Sequence, residues 1–241
     1  MRLAVLADIH GNADALAAVL DDLRAAAPDA IVNLGDCFSG PLDAARTADL
    51  LAAAPITATV RGNHDRWLLS PPEMDAWDQQ AFPHLSAETL AWLATLPATA
   101  VLGDAYLCHA TPQDDLSYWI EAYTADGTAR RAPLEIIVAR AAEIPQSLML
   151  CGHTHVARAV HLPDGRLIVN PGSVGCPGYT DKPGRHLCAG TPHAAYALLD
   201  QQGPNWAVAH RLVPYDTGPA IKAAYAAGYE DWVKALSTGW V

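Results

Sequence analysis

Positively charged residues are scarce in this sequence, and lysine is the scarcest of them. Only Lys182, Lys222 and Lys234 occur among 241 residues. The 15 lysines and arginines face 26 aspartates and glutamates, so the formal net charge is −11. This balance repels a phosphate backbone and an anionic lipid surface, so we expect neither a long nucleic acid nor a membrane as a partner. A small phosphorylated ligand is compatible with this charge if a bound metal reverses the local field.

Long apolar stretches are also missing. No run reaches the roughly 18 apolar residues that a membrane-spanning helix needs. The first residues, MRLAVLADIHGN, lack the long apolar core and the small-residue cleavage site of a signal peptide. The five cysteines form an odd number, which is typical of reduced thiols rather than of a disulfide framework. These absences predict a cytoplasmic protein.

The apolar residues that are present fall into short runs typical of buried strands. The runs in the first two thirds of the chain are Leu3–Ala7, Ala30–Leu34, Ile56–Val60, Ala105–Cys108, Leu148–Cys151 and Leu167–Val169. Helical patterns alternate with the first of them, at residues 13–26 with Asn12 as the N-cap, and at residues 42–54. Two more strands are predicted at 194–199 and 206–213. The alternation of strand and helix predicts an α/β layered fold.

Three segments interrupt or extend this alternation. Residues 66–96 contain three prolines and three tryptophans, and residues 113–131 are polar with several aromatic side chains. We predict both as helical or loop insertions that cap one end of the sheet. Residues 218–237 are predicted to form a docked C-terminal helix. This helix packs either on its own domain or on a second subunit, so the sequence allows a homo-oligomer. Otherwise the chain is expected to form a single domain over residues 1–241.

Polar side chains follow five of the predicted strands, at the point where each strand ends. The five segments are DIHGN (8–12), GDCFSG (35–40), RGNHD (61–65), HATP (109–112) and GHTH (152–155). Open α/β sheets gather their ligands at the carboxyl ends of the strands. Each segment alone has an ordinary interpretation as a turn, a cap or a loop histidine. Their combination instead predicts one shared site of His, Asp and Asn side chains.

These segments resemble those of the calcineurin-like metallophosphoesterases. The later segments NPGSVG (170–175) and VPYD (213–216) are similar to the small bacterial, phosphodiesterase-type branch of that superfamily. The resemblance implies a four-layer αββα sandwich of two mixed β-sheets flanked by helices. It also implies two divalent metal ions at the strand ends. Ligation by His, Asp and Asn without thiolate suits Mn, Fe, Zn, Co or Ni, with Mn favoured.

Carried onto this sequence, the resemblance assigns seven metal ligands and one general acid. The ligands would be Asp8, His10 and His155 for one ion, Asn63, His109 and His153 for the other, and Asp36 as the bridge between them. The residue types agree with these roles, because a carboxylate can bridge two cations whereas an imidazole or an amide oxygen serves one. His64, next to the ligand Asn63, is predicted to protonate the leaving oxygen.

The predicted activity is hydrolysis of small phosphodiesters, cyclic nucleotides among them, or of phosphomonoesters, by a hydroxide that bridges the metals. A nuclease that acts on single-stranded or damaged DNA or RNA is the alternative, and the low lysine content disfavours it. A metal-binding scaffold without catalysis is a further alternative, although every ligand position is filled. The segment Cys37–Pro41 departs from the Asp-Arg-Gly triplet of the superfamily's protein phosphatases, which weakens that interpretation and a dinucleoside-tetraphosphatase one.

Substrate contacts are assigned with alternatives. Arg61 is either a phosphate contact or half of a structural ion pair, and Asn12 is either a substrate contact or a helix cap. Asp65 follows His64 directly and points away from it on an extended segment, so we do not expect it to orient the imidazole. The segment 176–188 is either a solvated polar loop or a wall of the substrate cleft. Its candidate contacts are Tyr179, Lys182 and Arg185.

Overall fold

The strands and helices follow the short apolar runs of the sequence. The computed structural model describes residues 1–241. Its strands are β1 (Arg2–Leu6), β2 (Ala30–Asn33), β3 (Ala58–Thr59), β4 (Thr99–Leu102), β5 (Ala105–Cys108), β6 (Glu121–Tyr123), β7 (Ala129–Arg131), β8 (Leu148–Leu150), β9 (Arg158–His161), β10 (Leu167–Asn170), β11 (Gly178–Lys182), β12 (Arg185–Cys188), β13 (Ala194–Gln202) and β14 (Asn205–Val213). Its helices are α1 (Ala13–Ala26), α2 (Ala44–Ala53), α3 (Asn63–Trp67), α4 (Ala76–Ala81), α5 (Ala87–Thr95), α6 (Leu134–Arg140), α7 (Gly218–Ala226) and α8 (Glu230–Thr238), with short 3₁₀ turns at Pro71–Glu73 and Phe82–His84.

Ten of these strands form two mixed sheets of five strands each. The first sheet has the order β14-β13-β1-β2-β3, in which β1, β2 and β3 are parallel and β13 and β14 are antiparallel to their neighbours. The second has the order β4-β5-β8-β10-β9, with β5, β8 and β10 parallel and both edge strands antiparallel. In each sheet the parallel strands end at the same edge, and this brings the polar segments that follow them together.

The two sheets pack face to face around an apolar core. Leu3, Val5 and Val32 of the first sheet lie in one buried cluster with Leu107 and Leu150 of the second. The opposite face of the first sheet packs on α1, α2 and α5, and the opposite face of the second packs on α6. The order of layers is therefore helix, sheet, sheet, helix, and the predicted four-layer sandwich is confirmed.

Several predicted elements differ from the structure in extent. The apolar run Ile56–Val60 forms only the two-residue strand β3. The edge strands β4 and β9 were not predicted: β9 has only two apolar residues between polar ends, and the half-exposed apolar run Ala100–Leu102 of β4 was missed. The C-terminal helix is broken into α7 and α8. Gly228 lies between them with φ +82°, a left-handed conformation that ends the first helix.

Two segments that the sequence suggested were loops or helices are β-hairpins. The insertion 113–131 contains the hairpin of β6 and β7, and the segment 176–188 contains that of β11 and β12. Gly127 and Gly184 occupy the two turns with φ +81° and +75°. An Asp-Gly or Pro-Gly pair between short polar strands is a hairpin signal, but without apolar alternation it was not distinguished from a loop.

The C-terminal helix α8 docks on its own chain. Trp232 and Leu236 are buried and belong to one apolar cluster with Cys176. Tyr225 and Trp240 nevertheless stay 75% and 56% exposed. No helix in the structure combines the length and the apolar character needed to cross a membrane.

Candidate active site

The seven predicted metal ligands meet at the carboxyl edge of the two sheets. Each follows a strand of the parallel part of its sheet: Asp8 and His10 follow β1, Asp36 follows β2, Asn63 begins α3 after β3, His109 follows β5, and His153 and His155 follow β8. Six of the seven are buried, and His153 is half-buried. A set of polar side chains this deep in a protein needs partners that satisfy it.

The ligand atoms separate into two groups with one carboxylate between them. Asp8, His10 and His155 form one group and Asp36, His109 and His153 the other, and within each group the potential ligand atoms lie within 4.8 Å of one another. Oδ2 of Asp36 is 3.2 Å from Nε2 of His109 and 3.9 Å from Nε2 of His10. Asp36 therefore faces both groups, as a bridging carboxylate must.

The backbone at these positions is strained. Six non-glycine residues in the chain have positive φ, and five of them are predicted ligands: Asp8, His10, Asp36, His153 and His155. This left-handed conformation costs a residue with a β-carbon free energy, and such residues cluster at functional sites where the surroundings hold them. The strain turns each side chain inwards immediately after its strand.

Close approach of neighbouring backbone also shapes the site. A β-carbon on Gly62 would overlap the carboxylate and the amide nitrogen of Asp36. Asp65 fixes the same turn, because its carboxylate accepts the amide N–H groups of Asp36 at 2.8 Å, Cys37 at 2.9 Å and Gly62 at 3.0 Å. Asp65 thus supports the loop that carries the bridging carboxylate and does not contact His64, as expected.

Each histidine of the cluster has one ring nitrogen bonded to the backbone. Nδ1 of His109 donates to the carbonyl of Leu34 at 2.8 Å, and Nδ1 of His155 donates to that of Cys176 at 2.7 Å. Nδ1 of His10 lies 3.0 Å from the carbonyl of Ser39. A carbonyl oxygen only accepts, so the bonded nitrogen carries the proton and the other nitrogen presents a lone pair to the cluster. Fixing the tautomer in this way is what metal-binding histidines require.

His153 uses the opposite tautomer. Its Nε2 donates to the carbonyl of Leu116 at 2.9 Å, which leaves Nδ1 facing the cluster. There Oδ1 of Asn63 lies 3.1 Å from this nitrogen and 3.0 Å from Nε2 of His109. Three lone pairs would repel one another unless a proton on His109 or a cation lies among them. A rotated Asn63 amide would donate to both rings instead, so the amide orientation itself depends on a metal.

The electrostatics also favour a cation. Burial and the nearby Asp36 carboxylate raise the pKa of the Asp8 carboxyl to about 8, although His109 and the backbone N–H of His153 act in the opposite direction. Burial likewise lowers the pKa of His10 to about 4 and that of His153 to about 3, so both rings are neutral at physiological pH and able to bind a metal. His109 is different: burial lowers its pKa, but the carboxylates of Asp36 and Asp8 outweigh burial and raise it to about 10. A divalent cation would compete with that proton and restore the neutral ligand.

His64 lies beside the ligand cluster and belongs to its wall. Its backbone N–H donates to Oδ1 of Asp36 at 3.0 Å, and its side chain is 11% exposed. Nδ1 is bonded to Oδ1 of Asp78 at 2.9 Å, so Nε2 is the free nitrogen. The ring of Trp77 stacks on the imidazole at 5.7 Å and that of Trp67 meets it edge-on at 4.8 Å. These contacts fix the imidazole in one orientation.

Asp78 is a site residue that the sequence did not predict. It is fully buried, and its second oxygen accepts the backbone N–H of Asp75 at 3.1 Å as part of the cap of α4. Burial lowers the pKa of His64, but the carboxylates of Asp36, Asp78 and Asp75 more than offset this and raise it to about 9. The pattern Asp75-x-x-Asp78 signals a helix start, which could have located α4 but not its contact with His64.

The predicted substrate contacts lie elsewhere. Oδ1 of Asn12 caps α1 by accepting the N–H of Ala15 at 3.1 Å, and its amide nitrogen donates to Gly175 at 2.9 Å and Tyr215 at 3.0 Å. All of its polar atoms are used, so it acts as a cap and has none left for a substrate. Arg61 does not line the cavity over the ligand cluster either. These contacts favour the helix-cap alternative for Asn12, and the choice between a phosphate contact and an ion pair for Arg61 stays a prediction.

A cavity of about 410 Å³ opens over the cluster. Tyr179 of the hairpin β11–β12 lies in its wall, with its ring 4.6 Å from that of His155 and its hydroxyl donating to the carbonyl of His153 at 3.0 Å. Lys182 and Arg185 of the same hairpin do not line the cavity. The strand β11 therefore supplies part of the cleft wall, while residues 181–186 of the hairpin are exposed to solvent. The cavity size suits a small molecule.

Comparison with known proteins agrees with the fold and identifies the family. The profile of the calcineurin-like phosphoesterase superfamily domain matches residues 1–193. The structure is similar to a metallophosphoesterase from Sphaerobacter thermophilus, with 25% sequence identity, a TM-score of 0.77 and 99% of both chains covered. It is also similar to a hypothetical protein from Pyrococcus horikoshii OT3, with 19% identity, a TM-score of 0.75, and 99% of this chain and 98% of that chain covered. No curated protein matches the sequence.

The superfamily profile covers most of the chain, including every predicted metal ligand and His64. The resemblance inferred from the strand-end segments is thereby confirmed. The chain belongs to the calcineurin-like phosphoesterase superfamily.

Proposed function

We propose that the protein is a hydrolase of small phosphoric esters that uses two divalent metal ions. Phosphodiesters, cyclic nucleotides among them, are the principal substrates, and phosphomonoesters are secondary ones. One ion would be held by Asp8, His10 and His155 and the other by Asn63, His109 and His153, with Asp36 shared. The observation that carries the proposal is the convergence of these seven side chains, with their lone pairs directed inwards, beside the single imidazole of His64.

The metals and the side chains contribute different parts of the reaction. A pair of divalent ions, when bound, supplies Lewis acidity that activates water and neutralises charge on the phosphoryl group. Asp36 lies between the two groups of proposed ligands, and Asp65 fixes the turn that carries it by accepting the N–H groups of Asp36 and Cys37. His64 directs its free Nε2 towards the cavity and donates a proton to the leaving oxygen. Trp77 and Asp78 prevent the imidazole from rotating away from that task.

The size and charge of the cavity support a small substrate over a polynucleotide. The cavity holds about 410 Å³ and no lysine or arginine lines it. A nuclease binds several successive phosphates and normally supplies a basic track for them. The metal-binding scaffold is the other alternative, and it predicts a protein that binds metal without turnover.

The test is hydrolysis of bis(p-nitrophenyl) phosphate by protein loaded with Mn, and separately with Fe, Zn, Co or Ni, with and without a chelator. We expect activity that depends on metal, and about two ions per chain by elemental analysis. His64→Ala should lose activity on esters with poor leaving groups by about 10²-fold or more, because such groups need a proton. His161→Ala, on the exposed edge strand β9, is the matched control. Metal-loaded protein without any phosphoesterase activity would leave the scaffold as the answer, and preference for single-stranded DNA would favour the nuclease.

A further inference from the structure

A second pocket, which we call the side pocket, adjoins the cavity over the metal-ligand cluster. It has a volume of about 350 Å³ and shares Leu116, Tyr118 and Asp181 with that cavity. The shared wall lies next to His153, whose Nε2 donates to the carbonyl of Leu116 at 2.9 Å and whose ring is 5.2 Å from that of Tyr118. His64 lines the cavity but not the side pocket. A molecule bound at the cluster can therefore extend into the side pocket past His153.

Three cationic side chains line the side pocket without forming an ion pair. They are Arg140, Lys182 and Arg185. Arg140 donates to the carbonyl of Tyr118 and lies near Asp114 on the adjoining surface. Of the two carboxylates in the pocket wall, that of Glu121 is already paired with Arg158 at 2.7 Å. Asp181 can compensate only one of the charges on Lys182 and Arg185, so the side pocket keeps an excess of positive charge.

Lys182 and Arg185 lie directly opposite each other in the hairpin of β11 and β12. Opposite residues of an antiparallel pair project from the same face, and like charges in this position destabilise the pair. The guanidinium of Arg185 lies 5.2 Å from the centre of the Tyr123 ring, which holds it at the pocket. An anion bound between the two cations would replace their repulsion with attraction.

Tyr123 gives an independent indication of an anion. Its hydroxyl is shielded from solvent and has no hydrogen-bond partner, and the residue lines the side pocket. Burial raises the pKa of Tyr123, so the hydroxyl keeps its proton at neutral pH and remains a donor. A buried hydroxyl without a partner costs free energy, and an anionic oxygen in the pocket would supply the missing acceptor.

We infer that the side pocket binds a second anionic group of the substrate, a phosphate in preference to a carboxylate, carried by the ester group that stays on the phosphorus. A guanidinium, an ammonium and a phenol hydroxyl together suit the several oxygens of a phosphate. The volume of the side pocket suits one such group with its linker and not a run of successive phosphates.

This inference rests on the function proposed above, which fixes the orientation of the substrate. The leaving group would lie beside His64, in the part of the cavity lined by Trp67 and Trp77. The retained ester group then lies on the side of His153, next to the side pocket. A phosphomonoester has no retained ester group. A phosphodiester with a terminal phosphate on its retained group is therefore the substrate class that uses both cavities.

The experiment compares three diesters that share a p-nitrophenyl leaving group, with the metal-loaded protein at low ionic strength. Their retained groups are propyl, 3-carboxypropyl and 3-phosphonopropyl, and the phosphonate presents phosphate-like oxygens without a second ester bond. We expect kcat/KM to rise in that order, with 3-phosphonopropyl preferred over propyl by about tenfold. Lys182→Met and Arg185→Met should each reduce this preference about threefold, the size expected for one partly exposed charge pair. Lys222→Met, on α7 and outside the side pocket, is the matched control and should keep the preference.

Tyr123→Phe separates a binding role from a structural one. It keeps the ring beside Arg185 and removes only the hydroxyl. We expect its melting temperature to equal or exceed that of the wild type, because the lost hydroxyl had no partner, while the preference for 3-phosphonopropyl falls about threefold or more. A lower melting temperature with an unchanged preference would instead show that the hydroxyl supports the fold.

The remaining outcomes distinguish the inference from the proposed function. Equal kcat/KM for the three retained groups overturns the inference, and so does a 3-phosphonopropyl preference that all three pocket variants leave unchanged. In both cases hydrolysis of the propyl diester leaves the phosphoesterase proposal standing. Equal preference for 3-carboxypropyl and 3-phosphonopropyl overturns the choice of phosphate over carboxylate. Failure to hydrolyse any of the three diesters with metal bound counts against the proposed function itself.

Discussion

Replacing Asp78 with asparagine tests whether the cap insertion controls acid catalysis. Oδ1 of Asp78 is 2.9 Å from Nδ1 of His64, and Oδ2 accepts the N–H of Asp75 at 3.1 Å. An asparagine can keep only one of these contacts as an acceptor. If its oxygen stays on the N–H of Asp75, its NH₂ group meets Nδ1 of His64, so that nitrogen must lose its proton. The imidazolium that donates through Nε2 is then destabilised.

The magnitude follows from the burial of this contact. Asp78 is 0% exposed, so its bond to the imidazolium is charge-assisted and little screened by solvent. Hydrogen bonds to charged groups contribute about 1.5–3 kcal/mol. At about 1.4 kcal/mol for each factor of ten, Asp78→Asn should slow the protonated step by about 10- to 100-fold. Leaving groups that need no proton should be much less affected.

The assay is kcat for two diesters of methyl phosphate, one with a phenyl and one with a p-nitrophenyl leaving group. We expect Asp78→Asn to lose about 10- to 100-fold on the phenyl ester and less than about threefold on the p-nitrophenyl ester. Asp49→Asn serves as the control for an aspartate removed far from the site. An equal loss on both esters would mean that Asp78 merely supports the fold, and no loss on the phenyl ester would refute the positioning role.

Three further predictions concern metal binding and stability. Removing metal with a chelator should lower the melting temperature, and Mn should restore it, because a cation in the proposed site would stabilise the buried carboxylate of Asp36; scanning fluorimetry measures this. Gly62→Ala should reduce metal content and activity, because the new β-carbon overlaps Asp36, whereas Gly103→Ala, with open space around it, should retain both. Arg158→Met should lower the free energy of unfolding by about 3 kcal/mol near neutral pH, since Glu121 is 3% exposed and loses its 2.7 Å partner. Burial raises the pKa of Glu121 in the folded state, and Arg158 opposes that rise. Without Arg158 the ionised carboxylate is buried and unpaired, so the loss of unfolding free energy should grow as pH rises from about 5 to 8 and Glu121 ionises. Urea titrations at several pH values measure this loss.

The convergence of the polar strand-end segments could be predicted from the sequence because it follows from local rules. Each proposed ligand stands one to five residues after a short strand, and parallel strands deliver those positions to one edge. The assignment of these side chains as metal ligands needed the resemblance to the superfamily as well. The edge strand β9 escaped prediction because its two apolar residues show no periodicity, whereas β4 was missed although it contains the apolar run Ala100–Leu102.

The contacts that the inserted segments make with the site could not be predicted in the same way. Asp78 reaches His64 across 14 residues of sequence by way of an inserted helix, and no period or spacing encodes that contact. Tyr179 comes to the cluster on a hairpin whose polar strands resemble a loop. The sequence predicts which segments are insertions, and that stays a prediction. It did not show which face of each insertion meets the site, since that depends on packing between elements.

The insertion that carries α4 contacts His64, the proposed general acid, and also lines the part of the cavity proposed for the leaving group. Asp78 and Trp77 are adjacent on α4, and one is bonded to the imidazole of His64 while the other stacks on it. The ring of Trp232 in α8 packs edge-on against that of Trp77, with 5.0 Å between the ring centroids, and so supports the position of α4. A change in this insertion that admits a different leaving group should therefore also move the imidazole that we propose protonates it. The metal ligands, held by the strand ends, would stay in place, so leaving-group specificity and acid catalysis should vary together while metal binding does not.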